Sequence, residues 1–70
     1  MGREEVVRAF LSGRKARQNR GLLMTDGCSL YWGADLIATR EAGRIALVER
    51  SQISGRPAPV VVWNLVKSLI

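Results

Sequence analysis

Glycine-centred turn signals recur about every eight to ten residues through the middle of this chain, and they limit its fold more than any other feature. Asp26-Gly27 is the sharpest, because a two-residue primed turn needs positive φ, which Gly supplies and Asp tolerates. Gly33-Ala34-Asp35 and Glu41-Ala42-Gly43 follow. Between them lie short apolar stretches: Leu22–Thr25, Ser29–Trp32, Leu36–Arg40 and Arg44–Arg50. The pattern predicts a small curved antiparallel β-meander of four to five strands.

The flanks are less regular. Val6–Leu11 reads as a further β-leaning stretch, with Val7, Ala9 and Leu11 on one side, and Ser12-Gly13 breaks it. Met1–Glu5 is polar and reads as a frayed end or a helical lead-in. Arg14–Gly21 has no acid and no large apolar side chain, and reads as a loop or polar hairpin arm. Ser51–Pro59 is a connector. Pro59 is placed to open a helix, since its missing N–H costs nothing at a first helical position. Val62, Leu65, Val66 and Leu69 then make one apolar stripe at helical spacing. The β-branched run Val60-Val61-Val62 keeps a strand as the alternative. The expected whole is a single mainly-β (α+β) domain, closed by a short C-terminal helix.

Seventy residues make one small core. Cys28 is the only cysteine and histidine is absent, so neither a disulfide nor a four-ligand zinc site is expected. Missing histidine also removes the commonest general base and any Ser–His or Cys–His nucleophile. Asp26 and Asp35 stand at turns, where Asp is favoured for backbone reasons. No glycine pattern that cradles phosphates occurs. The expectation is a binding protein, not an enzyme, with no cofactor and no metal. Cys28 is read as a small buried hydrophobe. The early charges Arg3, Glu4 and Glu5 and the short apolar runs point to an intracellular protein that does not enter a membrane.

Two groups of residues carry binding potential. Eleven basic residues against six acidic ones give a net charge of +5. Arg14, Lys15, Arg17 and Arg20 nearly account for that excess within one acid-free run, suited to nucleic-acid phosphates, whether DNA or RNA. On the strand after the Asp26-Gly27 turn, alternation puts Trp32 on the core side with Leu30 and turns Tyr31 outward, where it could stack on a base. Trp32 and Leu47 are expected in the core. A rival reading is a protein-interaction module, such as a mobile-element accessory factor or inhibitor docking on a host or viral protein. A third is a homodimer joined through Val62, Leu65, Val66 and Leu69.

The segments VVRAFLSGRKA, LLMTDGCSLYWGADLIAT and GRIALVE together resemble a group of small uncharacterised proteins of phages, plasmids and prokaryotic genomes. The shared outline is a Val-Val-Arg-Ala-aromatic opening, a Thr-Asp-Gly turn, a Leu-Tyr pair and an Ile-Ala strand, over Val6–Glu49. Arg56-Pro57-Ala58-Pro59 departs from the Ser/Thr-rich segment that precedes the closing helix in that group. The resemblance implies a meander followed by a helix and brings no activity.

Overall fold

In the computed structural model, which describes residues 2–53 and 57–70, the chain opens with a helix that takes in part of the polar lead-in and the whole of the Val6–Leu11 stretch read as a strand. Helix α1 spans Arg3–Leu11. Glu4 and Glu5 lie in its first turn, where acids complement the helix dipole, and Glu5 accepts a hydrogen bond from the Gly2 N–H at 3.3 Å. Val6, Val7, Ala9 and Phe10 are buried on one side. Ser12-Gly13 ends a helix, not a strand. Gly13 has φ +76; its N–H bonds to the Phe10 carbonyl and that of Arg14 to the Ala9 carbonyl. That pair of bonds is the Schellman closure, which needs a left-handed residue at the position of Gly13. Burial of Phe10 and both valines under the sheet overrides the β preference of Val6-Val7.

A five-stranded antiparallel meander follows, in the order β1 (Ala16–Arg17), β2 (Leu23–Thr25), β3 (Ser29–Trp32), β4 (Asp35–Glu41) and β5 (Arg44–Leu47). The segment read as loop or hairpin arm thus contributes an edge strand, with Ala16 opposite Thr25 and Arg17 opposite Met24. The final strand stops at Leu47, shorter than its predicted end at Arg50, where a 3₁₀ turn begins (Arg50–Gln52).

The first turn is shifted by one residue from the expectation. Gly27 (φ +98) and Cys28 are its central residues, and Asp26 precedes them. The Asp26 carboxylate accepts hydrogen bonds from the Cys28 and Ser29 N–H groups, at 2.9 and 2.8 Å, so it caps the turn from outside. Cys28 is consequently exposed, which corrects the buried assignment.

The sheet contains one bulge. Leu30 pairs with Ala38 but Tyr31 pairs with Leu36, leaving Ile37 as the extra residue on β4. Ile37 and Ala38 are both fully buried, which strict alternation forbids. Trp32 and Leu47 do lie on the core side, but each is only partly buried there. The Arg3 guanidinium stands over the Trp32 ring, 5.6 Å from its centre.

Helix α2 spans Pro57–Leu69, so Pro57 and Pro59 both sit in its first turn, where no backbone donor is lost. The α1 helix contacts β1, β2 and β3, α2 contacts β4 and β5, and the helices touch each other. Both therefore cover the same face of the sheet. The core between the layers joins Phe10, Leu23, Leu30, Ile37, Ile53, Val62 and Val66. No helix among the described residues is long and apolar enough to cross a membrane.

Candidate nucleic-acid interface

With both helices on one side, the other face of the sheet has no covering layer among the described residues. Cross-strand register decides what it presents. Arg17 on β1 lies opposite Met24 on β2, Met24 opposite Tyr31 on β3, and Tyr31 opposite Leu36 on β4. Residues directly opposite share a face. Since Leu23, Thr25 and Leu30 point into the core, the row Arg17–Met24–Tyr31–Leu36 lies on the outer side. Tyr31 is partly exposed at its centre, and Met24 is 40% exposed. Ser29, Thr39 and Ala46 form the next row along. Tyr31 thus lies where alternation predicted it.

The basic run borders this face. Arg14, Lys15, Arg17 and Arg20 are all exposed. Arg14 and Lys15 lead from the end of α1 into β1, Arg17 is on that edge strand, and Arg20 is in the turn to β2. Ala16, between them, turns to the core side. Arg17 and Arg20 share an open depression of about 540 Å³ with Gln18, Asn19, Gly21 and Leu22. The only ion pair among the described residues, Arg8 with Glu4 at 3.1 Å, lies elsewhere, on α1. The Cys28 and Ser29 N–H groups hold the Asp26 carboxyl below its ordinary value, and nearby Lys15 adds a smaller pull in the same direction. One of the four cations is therefore partly balanced by an acid.

Sequence reasoning missed the neighbours of Tyr31. Met24 and Leu36 are brought beside it by the register and the bulge, and no local pattern announces them. It also missed Leu22, which is 56% exposed at the rim of the depression.

The four residues assigned to a subunit interface have another place. Val62 and Val66 are fully buried within the chain, and Leu65 and Leu69 pack partly against the same core. The stripe faces the sheet, because a one-sided sheet must be covered by its own helices. Among the described residues no group of three or more acids or cysteines is placed to hold a metal ion. Compared with known proteins, the chain matches no family model, no curated protein and no solved structure.

Proposed function

We propose that this chain is a small nucleic-acid-binding module that holds phosphates through Arg14, Lys15, Arg17 and Arg20. The observation that carries the reading is the placement of these four exposed cations along one sheet edge, beside a face that no helix among the described residues covers. Arg suits the task because its planar fork holds a phosphate through two hydrogen bonds and stacks on a base as well. Phosphate contacts position a protein and carry little sequence information. Affinity is therefore weak and largely non-specific, on the order of micromolar at physiological salt.

Titration of labelled oligonucleotides at low and moderate salt tests this. Binding weakens linearly on a log–log plot as counterions are released, with a slope of about 0.9 for each duplex phosphate neutralised. Replacing all four cations with Ala abolishes binding and leaves the circular dichroism spectrum unchanged, because none of the four is in the core. Absence of binding at low salt, or full binding by the quadruple variant, overturns the reading. Docking on a host or viral protein then takes its place. Leu22 and Met24 favour that second reading, as large apolar side chains exposed near the same edge.

A further inference from the structure

We infer that the occupant of the uncovered sheet face is a single strand of nucleic acid, with a base stacked on Tyr31. This rests on the phosphate-binding reading above and narrows it. The sequence brings an aromatic ring, two apolar flanks and a cation into one row, Arg17–Met24–Tyr31–Leu36, across four neighbouring strands. Strands lie about 4.8 Å apart, so the row is about 14 Å long. Four-stranded RNA-binding sheets of that width stack two or three bases on their aromatic residues.

Charge admits either form of nucleic acid, and shape selects a single strand over a duplex. The edge beside the row is cationic and suits a backbone of phosphates. A base offers its flat face to Tyr31 only when it is unstacked, and in a duplex those faces are hidden between neighbouring pairs. A duplex is read by elements that enter a groove, a helix or a protruding two-stranded ribbon. Here both helices lie on the opposite side of the sheet. A duplex would touch the cationic edge and leave Tyr31 unused. Met24 and Leu36 extend the apolar platform around the ring, which tolerates any base because every base has a π face.

The experiment compares a labelled oligodeoxythymidylate, an oligouridylate and a mixed-sequence duplex of equal length, at low salt. Three proteins are used: the parent, Tyr31→Phe and Tyr31→Val. Phe keeps the ring, and Val keeps the β preference without a π face. The parent should bind at least one single strand more tightly than the duplex, and the relative affinity of the two strands assigns the sugar. Tyr31→Phe should bind within about twofold of the parent, and Tyr31→Val should lose roughly 5- to 150-fold for the single strand, the range for one stacked base. Duplex binding should be unchanged in both variants. A fully folded spectrum for Tyr31→Phe keeps the comparison decisive even if Tyr31→Val is unstable, since loss of binding in Phe contradicts stacking. If the duplex binds best, or Tyr31→Val binds single strands like the parent, this inference fails while phosphate binding stands. If no nucleic acid binds the parent, both fail together.

Discussion

Gly27 stands against the backbone of Gly13, so close that a Cβ on Gly27 would lie 2.8 Å from the Gly13 carbonyl oxygen. The contact joins the end of α1 to the turn between β2 and β3. The Gly27 N–H also donates to Thr25 Oγ1, a buried hydroxyl, at 3.1 Å. Gly27→Ala meets two obstacles, a positive φ and a backbone atom that cannot swing aside. The conformation alone costs about 1–3 kcal/mol. The variant should lose at least about 2 kcal/mol, much of the stability of so small a domain. Urea denaturation measures it. Gly43→Ala is the control, since Gly43 has φ +79 but nothing within 4 Å of an added Cβ. Equal losses in the two variants would show that the collision is absent.

The turn between β4 and β5 holds an avoidable strain. Ala42 and Gly43 both have positive φ, +51 and +79, as a type I′ turn requires. Ala42 is the only described residue other than Gly in that region, where an L side chain with a plain Cβ is disfavoured by about 1–2 kcal/mol. Its side chain is exposed, so replacement removes little packing. Ala42→Asn should stabilise the protein by about 0.5–1 kcal/mol, raising Tm by several degrees in calorimetry. An unchanged or lowered Tm would place the strain elsewhere.

Strands β2 to β5 were legible because their signals are local. Alternation through Leu23, Thr25 and Leu30 and the turns at Gly33 and Gly43 each fit within a few residues. Helix α1 was misread because Val6-Val7 and the period-two apolar run imitate a strand. Better signals lay at its ends: Glu4 and Glu5 in the first turn, and Gly13 after Ser12. The bulge at Ile37 was not legible, since it is a property of pairing with β3 and not of β4 alone. The same holds for the site. Exposure of the basic run follows from composition, but Met24 and Leu36 reach Tyr31 only through register.

Trp63 ties α2 to the exit of β5. Its indole N–H donates to the Val48 carbonyl at 2.8 Å, and Lys67 stands 5.3 Å from the ring centre. Val48 in turn donates to the Ile37 carbonyl at 3.1 Å, which extends the β4–β5 pairing past Leu47. Trp63→Phe keeps an aromatic ring and deletes the donor. It should cost about 0.5–1.5 kcal/mol, the usual net value of one hydrogen bond. Lys67→Ala should cost less, since that cation is exposed. Denaturation midpoints of the two variants separate these contributions, and a neutral Trp63→Phe would show that the hydrogen bond adds nothing.

Asp26 makes part of the fold's stability depend on pH. Its carboxylate receives the Cys28 and Ser29 N–H groups, which favour the charged form and lower its pKa below the usual 3.8; Lys15 assists. Folding thus binds Asp26 in its deprotonated form more readily than the unfolded chain does. Across the interval between the folded and unfolded pKa values the unfolded state carries more protons, so stability rises with pH there. The contribution is fully present above the unfolded value and disappears as pH falls through the folded one. Asp26→Asn keeps a side-chain acceptor for the same N–H groups but cannot ionise. Thermal unfolding of the parent and of Asp26→Asn, followed from about pH 6 to about pH 2, isolates this residue from the other carboxylates. The parent should be the more stable at the upper end, with the difference shrinking once pH drops below the ordinary carboxylate value. A difference that stays constant with pH would mean that the charge of Asp26 does not contribute, and that the turn is held by its hydrogen bonds alone.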